Sequence, residues 1–367
     1  METQKDNPGI PFYIDGHLDL AWNMLTYGRD YSKSLKEIRF SERGSEQVTT
    51  EGDTTIAFDA LKAANTAVVF NTLFAAPIHT KEGPWDTETY SNVRESSALY
   101  HRQMDAYERL TDSHPEKFRL LRGRDDLSSH LKAYQTDPKM PIGLITLMEG
   151  ADGIKDPDEL EVWMERGVRI IGLAWQATRY SGGTREPGPL TDLGIRLLKQ
   201  MDEMGCILDI SHMDEQAVWQ ALDRFHGPVI ASHAPPLSLL RERHSNRFIS
   251  DDVIRAIAER NGVIGLVTLN IFLDNTWQKG DNKDLIPLER VVEQMDYICQ
   301  LLGSADHVGI GSDLDGGHGN METPAELDSI ADMPKILKVL ADRGYSQADQ
   351  AAIYGANWSR FLLEALP

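Results

Sequence analysis

The sequence has few of the features that mark secreted or membrane proteins. Only two of its 367 residues are cysteines, Cys206 and Cys299, and both lie in apolar runs, so we expect buried free thiols and no disulfide framework. No run of residues approaches the roughly 18 apolar residues of a membrane span. The N-terminus has no basic segment followed by an apolar one, as a signal peptide would. These absences favour a reducing, cytoplasmic setting without a membrane partner.

Positive charge is also scarce. The chain carries 37 Lys and Arg against 57 Asp and Glu, a net charge of −20. Because phosphate backbones are bound by clustered basic side chains, this balance argues against nucleic acid as a main partner, and also against an anionic membrane surface. The remaining composition, 41% hydrophobic and 26% charged, is typical of an ordinary globular protein with ample core-forming material.

Eight apolar, strand-like segments alternate with amphipathic stretches along the chain. They begin near residues 12, 67, 142, 168, 206, 228, 263 and 307. This alternation indicates an α/β fold with a parallel sheet covered by helices, and eight units favour a (β/α)8 TIM barrel over an open doubly wound sheet. No Gly-x-Gly-x-x-Gly follows the first segment, so a dinucleotide-binding fold lacks support.

The connections give further expectations. With no repeat and no convincing linker, we predict a single domain over residues 1–367, with extra helices after the eighth strand. Residues 26–52 are polar and show little periodicity, which predicts a long loop with at most one helical turn. The glycine-rich stretch 181–189 is also predicted to be a loop.

The first strand ends in a His-x-Asp pair, His17 and Asp19. Side chains alternate along a strand, so these two point to the same face. An imidazole and a carboxylate at a strand tip suit a divalent cation such as zinc. On this pair alone, a buried histidine hydrogen-bonded to a nearby aspartate is slightly favoured.

Other strands end in residues of the same kinds. Glu149 ends the third strand, His212 the fifth, His233 the sixth and Asp313 the eighth. Because barrel enzymes place their chemistry at the C-terminal ends of the strands, we expect these side chains to converge with the His-x-Asp pair. One zinc needs only three protein ligands and a water, so the surplus indicates two ions, with a shared carboxylate and hydroxide, suited to amide or ester hydrolysis.

These motifs together resemble those of the membrane dipeptidase (renal dipeptidase, M19) family, within the amidohydrolase-like barrels. The matching segments follow the family's order along nearly the whole chain: Asp15–Leu20, Leu147–Gly150, Asp209–His212, Ala231–His233, Gly309–Gly316 and, more weakly, Gly355–Trp358. The resemblance implies a metal-dependent hydrolase barrel that cleaves the peptide bond of dipeptides, and it suggests a homodimer.

The resemblance also implies roles for individual residues. Two Zn²⁺ per subunit would be held by one pair of ligands each, His17 with Asp19 and His212 with His233, and bridged by the catalytic carboxylate of Glu149. Asp313 would be the acid–base residue that takes a proton from the bridging water and passes it to the leaving amine. Arg247 would hold the carboxylate of the dipeptide.

Trp175 departs from the family pattern. A histidine that contacts the scissile carbonyl usually follows the fourth strand, and here an indole stands in its place. An indole N–H can donate a hydrogen bond but cannot carry a positive charge. Trp175 is therefore a candidate substrate-binding residue, and the alternative activity is that of an amidohydrolase acting on N-acyl amino acids or other small amides. A catalytically silent metal-binding barrel is less favoured, because a structural site needs no spare Asp313.

Overall fold

The computed structural model describes residues 11–81, 83–137, 139–240 and 245–367. Its central sheet has nine strands, and a short one, Phe118–Leu120, pairs only with the third strand of the barrel. The other eight form the barrel, and we number them in chain order: β1 (Tyr13–Leu18), β2 (Thr66–Phe74), β3 (Ile142–Glu149), β4 (Val168–Gly172), β5 (Ile207–Asp209), β6 (Val229–Ile230), β7 (Ile264–Leu266) and β8 (Val308–Ile310). All paired neighbours run parallel, in the order β6-β5-β4-β3-β2-β1-β8-β7.

The sheet closes on itself between β6 and β7. A parallel bridge joins Ala231 to Ile264, and the amide of Gly265 donates to the carbonyl of Ala231 at 2.8 Å. Each strand therefore has a neighbour on both sides, which leaves no open sheet edge in the barrel. The predicted (β/α)8 TIM barrel is confirmed.

Helices surround this barrel and follow its last strand. The α-helices span Leu20–Thr26, Leu35–Ser41, Glu46–Glu51, Phe58–Ala63, Val93–Ser113, Arg124–Thr136, Leu160–Arg166, Asp192–Met204, Glu215–Leu222, Asp251–Glu259, Asn270–Leu273, Glu289–Leu302, Lys335–Asp342, Gln347–Ala351 and Asn357–Ala365, and a π-helical turn spans Ala352–Ala356. The last four elements are the extra C-terminal helices that the sequence predicts. Within the described ranges, no helix is both long enough and apolar enough to cross a lipid bilayer.

Local sequence signals set many helix boundaries. The helix Asp192–Met204 begins after Thr191, whose hydroxyl accepts a hydrogen bond from the amide of Gly194, and it ends at Gly205 in the left-handed conformation. The side chain satisfies an amide that the helix itself cannot, and glycine adopts a positive φ without a Cβ penalty. Both ends of this helix are thus marked by residues of the types that favour helix boundaries.

The barrel has an apolar interior, and Trp358 of the last helix packs against one end of it, which we call the floor. One of its two buried apolar clusters draws residues from or beside seven of the eight strands and includes Trp358 of the last helix. The Trp358 ring packs against Phe70 at 5.0 Å between centroids, and its indole N–H donates to the carbonyl of Ile310 at 3.0 Å. A Cβ added at Gly16 or Gly309 would lie 2.8 or 2.4 Å from this ring. Both glycines thus make room for the tryptophan.

The predicted long loop over residues 26–52 is wrong. This segment contains the helices Leu35–Ser41 and Glu46–Glu51. Ser34 and Glu37 form a capping box, in which each side chain accepts a hydrogen bond from the other's backbone amide. This pairing stabilises a short helix start, although only Ile38 of the first helix is buried.

The predicted loop over residues 181–189 is also wrong. Ser181–Gly183 and Glu186–Leu190 form an antiparallel hairpin. Gly182 lies against the backbone of Gly188, where a Cβ would come within 2.3 Å of the amide nitrogen. Glycine at position 182 therefore permits close strand contact. The hairpin is joined to the barrel through a bridge between Gly183 and Met213, just beyond β5.

Candidate metal centre

The six polar side chains predicted from the strand ends lie together at the C-terminal ends of the barrel strands, and we call them the cluster: His17, Asp19, Glu149, His212, His233 and Asp313. The residues in it come from β1, β3 and the segments after β1, β5, β6 and β8. Five of the six predicted polar side chains line one cavity of about 700 Å³, which we call the central cavity: Asp19, Glu149, His212, His233 and Asp313. The sixth, His17, is fully buried beside them.

Glu149 stands at the middle of the cluster. Its Oε2 is 3.4 Å from Nε2 of His17, whereas its Oε1 is 3.1 Å from Nε2 of His212 and 3.3 Å from Nε2 of His233. Two ligand atoms on one tetrahedral zinc, each about 2.0–2.1 Å from the ion, are about 3.3 Å apart. The two oxygens of this carboxylate therefore face two different sets of imidazole nitrogens at ligand-like spacing.

His17 connects Glu149 to two more carboxylates. Its Nε2 is 3.5 Å from Oδ2 of Asp19 and 3.9 Å from Oδ1 of Asp313. Both ring nitrogens of His17 are buried and make no hydrogen bond to any residue that the structure describes. Burying such nitrogens without a partner is costly, so their position among carboxylate oxygens fits a cation. The donor set, three imidazoles and three carboxylates, suits zinc.

Hydrogen bonds behind the cluster orient two imidazoles. Ser232 donates its hydroxyl proton to Asp209, so the same oxygen accepts from Nδ1 of His233 at 2.8 Å. This arrangement leaves Nε2 of His233 with a free lone pair facing Glu149. Nδ1 of His212 is similarly 3.0 Å from the hydroxyl of Thr184, in the hairpin.

Burial and charge shift the proton affinities of the cluster. Although burial opposes it, the charge of His17 and the close approach of the three imidazoles hold the pKa of Glu149 well below its ordinary value. Burial raises the pKa of Asp313 to about 7, with attraction to His17 acting in the opposite direction. Burial and the nearby charge of Arg247 lower the pKa of His212 to about 4. A bound cation would add its own charge to this balance.

The two predicted substrate-binding residues line the same cavity. Arg247 is 3% exposed and donates from Nη2 to the carbonyl of His233 at 2.5 Å, whereas its Nε and Nη1 meet no acceptor among the described residues. Trp175 packs edge-on against Phe74, with ring centroids 5.0 Å apart. The structure thus brings a buried guanidinium with free donors and an indole to the wall of the central cavity.

Several residues around the site were not identified from the sequence. Asp209, Ser232 and Thr184 act behind the imidazoles, and their motif positions were visible, but their pairing requires the register between β5 and β6. The indoles of Trp22 and Trp277 also line the cavity, and no spacing in the sequence points to them.

A second ionisable cluster lies at the rim of the cavity. Lys279 contacts Glu51 at 2.6 Å and Glu322 at 3.5 Å, and Nδ1 of His318 is 3.0 Å from Glu322. Two of its carboxylates and the histidine are close enough to hold an ion. Lys279 already supplies a positive charge there, so this cluster is an ion-pair network that joins the helix Glu46–Glu51 to two later segments of the chain.

Comparison with known proteins gives the chain's relatives. A protein of Klebsiella pneumoniae described as an uncharacterized protein in the pqqA 5′ region is 31% identical over 231 residues, covering 60% of this chain and 81% of the relative. Dipeptidase ataJ of Aspergillus terreus is 28% identical, covering 78% of this chain and 70% of the relative. Dipeptidase tcpJ of Claviceps purpurea is 24% identical, and the aligned region covers 73% of this chain and 62% of that protein.

Solved structures share the fold. A metallopeptidase of Rhodobacter sphaeroides, solved with a phosphinate mimic of the dipeptide L-Ala-D-Ala, superposes with a TM-score of 0.78 at 20% identity, covering 97% of this chain and 99% of that one. The probable dipeptidase PvdM of Pseudomonas aeruginosa gives 0.76 at 18% identity, covering 97% and 95%. The family model of membrane dipeptidase, peptidase family M19, matches residues 11–365, and the chain accordingly belongs to that family of metal-dependent hydrolases.

Proposed function

We propose that this protein is a zinc-dependent dipeptidase with two Zn²⁺ per subunit. The observation that carries the proposal is the placement of Glu149, whose two oxygens face different imidazoles at 3.1–3.4 Å. His17 and Asp19 would hold one ion, His212 and His233 the other, with Glu149 shared between them. When bound, such a pair of ions lowers the pKa of water and polarises the scissile carbonyl.

The protein's own groups then have separate tasks. Asp313, beside His17 at 3.9 Å, accepts a proton from the attacking water and delivers it to the nitrogen of the leaving amine. Arg247 binds the substrate carboxylate through Nε and Nη1, which have no acceptor among the described residues. A guanidinium presents its N–H groups in a planar fork that matches two carboxylate oxygens. The wall around Trp175 excludes water from the apolar side of the cavity.

The names of relatives agree with this substrate class. Two curated relatives are dipeptidases, and the Rhodobacter sphaeroides metallopeptidase was solved with a dipeptide mimic. Trp175 favours a second candidate, an amidohydrolase acting on N-acyl amino acids, because a neutral indole on the cavity wall differs from a chargeable imidazole.

Metal analysis and a substrate panel test the proposal. We expect two equivalents of zinc after reconstitution, and a higher kcat/KM for dipeptides such as Ala-Ala than for N-acetyl-alanine. Fewer than two equivalents would contradict the binuclear centre. A preference for the N-acyl compound would select the second candidate. If neither compound were hydrolysed with both ions bound, the protein would be a catalytically silent metal-binding barrel.

A further inference from the structure

Trp277 is a buried indole on the wall of the central cavity. It is 4% exposed and lines the same space as Glu149, Asp313 and Arg247. Its Nε1–H has no hydrogen-bond acceptor among the residues that the structure describes. A buried donor that has lost water without gaining a partner carries a desolvation penalty. The position of this one on a substrate cavity points to an acceptor on the ligand.

The backbone holds this indole in a defined place. Trp277 follows the short helix Asn270–Leu273, and its amide donates to the carbonyl of Asp274 at 3.0 Å. In the same turn, the amide and hydroxyl of Thr276 both donate to Oδ1 of Asp274, at 3.0 and 2.7 Å. The turn is thus braced by its own hydrogen bonds, and the indole is set by a rigid support.

Arg247 is associated with the same segment. Its guanidinium carbon lies 5.2 Å from the ring centroid of Phe272, which precedes Trp277 by five positions. Two residues that line the cavity thus hold three buried donors without acceptors among the described residues: Nε and Nη1 of Arg247 and Nε1 of Trp277. A carboxylate, with about four acceptor sites on two oxygens, can satisfy all three.

Charge favours the same part of the cavity for the terminal carboxylate of the substrate. Arg247 carries a fixed positive charge and lines this cavity, so a substrate carboxylate is attracted toward its guanidinium. The substrate's acceptor group then lies on the wall to which Trp277 belongs. Trp277 adds a neutral donor there without adding charge.

We propose that Trp277 is a specificity-determining residue whose indole N–H donates to the terminal carboxylate of the substrate, alongside Arg247. This inference rests on the proposed dipeptidase function and adds a residue to its recognition of the free carboxyl end. A terminal carboxamide turns an NH₂ donor toward a site built of donors, and such a mismatch is strongly rejected. The chain thus selects substrates with a free carboxylate.

Paired substrates and variants test the role of Trp277. Trp277→Phe removes the donor and keeps a ring, whereas Trp277→Gln removes the ring and keeps an N–H donor. With zinc-loaded enzyme, we expect Trp277→Phe to raise KM for a dipeptide by roughly 10- to 100-fold, the range of a hydrogen bond to a charged group, and to leave KM for the dipeptide amide within about twofold. Trp277→Gln should retain more of the preference for the acid.

Trp85→Phe is the matched control. Trp85 lines the same cavity and packs against Tyr27 at 5.5 Å between centroids, so its replacement should change the acid and the amide by the same factor. Equal losses on both substrates in Trp277→Phe would overturn the proposal and leave only a packing role. The proposal would also be overturned if Trp277→Phe preferred the acid over the amide more strongly than Trp277→Gln does.

Binding without turnover separates this inference from the proposed function. A dipeptide analogue with a reduced peptide bond, in acid and carboxamide forms, can be titrated into wild-type enzyme labelled with ¹⁵N at its seven tryptophan indoles. We expect one indole proton resonance to move downfield with the acid form alone. If none moves although the acid binds, the role of Trp277 is refuted whether or not dipeptides are hydrolysed. If the shift occurs but no dipeptide is cleaved, the proposed function fails and this recognition remains.

Discussion

Three polar residues at the site hold an unusual backbone conformation. His212, Asp313 and Asp315 have φ values of 64°, 59° and 62°, in the left-handed region that costs energy for residues with a Cβ. Aspartate and asparagine tolerate this region better than most residues because their short side chains bond locally. Because the conformation is costly, the surrounding structure must hold these residues in it. Two of them, His212 and Asp313, are predicted functional residues that line the central cavity.

Replacing Asp313 by asparagine tests its predicted proton transfer. Asp313→Asn keeps the left-handed backbone and the side-chain shape but removes the proton acceptor. We expect zinc content to be unchanged and kcat to fall by about 10²- to 10⁴-fold, the usual contribution of general acid–base catalysis. Steady-state kinetics with metal analysis measures both. Asp306→Asn, in an exposed residue ahead of β8, is the control, and near wild-type rates in Asp313→Asn would remove this role.

Ser232 is expected to govern metal affinity from behind the cluster. Ser232→Ala breaks the link from Asp209 to Nδ1 of His233, so the imidazole loses its fixed tautomer. Loss of such an outer partner typically weakens metal binding by about 10- to 100-fold, which competition with a zinc chelator measures. Ser238→Ala is the matched control, since Ser238 is exposed and donates a hydrogen bond to Asp251, away from the cluster. Equal affinities in both variants would contradict the orienting role.

At the scale of single residues, the sequence predicted which polar side chains come together but not which residues orient them from behind. The six polar side chains were placed by strand ends alone, and the structure puts them within 3.1–3.9 Å of a neighbour in the cluster. Their roles stay predictions. The Ser232 relay depends on β5 pairing with β6, where Asp209 lies opposite Ile230. Sequence spacing does not carry that register.

At the scale of elements, one aspartate ties the loop after β8 to the N-terminal segment. The Asp315 carboxylate accepts hydrogen bonds from Tyr31, Thr54 and Thr55 at 2.6–3.0 Å, and it lies 3.1 Å from Nη1 of the buried Arg29. The loop that carries Asp313 is therefore anchored two residues further on.

Neutralising this anchor should destabilise the fold. Asp315→Asn keeps the tolerated backbone conformation, and Arg29 keeps its other buried partner, Glu42, at 2.7 Å. The hydrogen bonds from Tyr31, Thr54 and Thr55 lose their charged acceptor, however, at a cost of about 1 kcal/mol for each bond. Asp328→Asn breaks a pair with Arg39, in which the Asp328 side chain is 58% exposed; we expect a loss within about 1 kcal/mol there. Denaturant unfolding compares the two. Similar losses in both variants would contradict a special role for Asp315.

The fit of the last helix against the barrel can be tested at one glycine. Gly309→Ala places a methyl group 2.4 Å from the fully buried Trp358 ring, so the floor must shift, at a cost of about 1–3 kcal/mol. In Gly188→Ala, the added Cβ meets its nearest atom at 3.8 Å, and we expect little change. Thermal unfolding measures the difference, and an equally stable Gly309→Ala protein would show that the floor is loosely packed.

Secondary-structure elements were predicted correctly from the sequence where their residues are strongly buried. The eight barrel strands are almost entirely buried and were all identified. The two errors lie where tertiary contacts or a local cap decide the structure: helix Leu35–Ser41 buries only Ile38, and the hairpin Ser181–Leu190 contains five glycines and prolines in its two strands. The capping signal of Ser34 and Glu37 was readable, but the hairpin depends on contact with the segment after β5.

At the scale of the whole molecule, metal should contribute to stability. Without ions, the cluster holds three carboxylates and three imidazoles together, all buried except Asp313, in a chain of net charge −20. Ligands that bind only the folded state stabilise it by about 4 kcal/mol at a thousandfold excess over Kd. We expect chelation to lower Tm and zinc to restore it, as calorimetry would show. An unchanged Tm would argue against a bound metal in the folded protein.

Three properties of the whole protein stay predictions of the sequence: a single domain over residues 1–367, a cytoplasmic setting and a homodimer. The first two follow from the missing linker and from the scarcity of cysteine, and the third from family resemblance alone. None of them is decided by the positions of side chains within one chain.

The position of Trp358 has a consequence for folding. Its ring lies against Gly16 of β1 and Gly309 of β8, so β1 is packed by a helix that is very distant from it along the chain. Contacts between such distant residues form slowly, because the entropy of closing the intervening loop is lost before the contact is gained. Strand β1 also carries His17, so the polar cluster around Glu149 is expected to assemble late in folding.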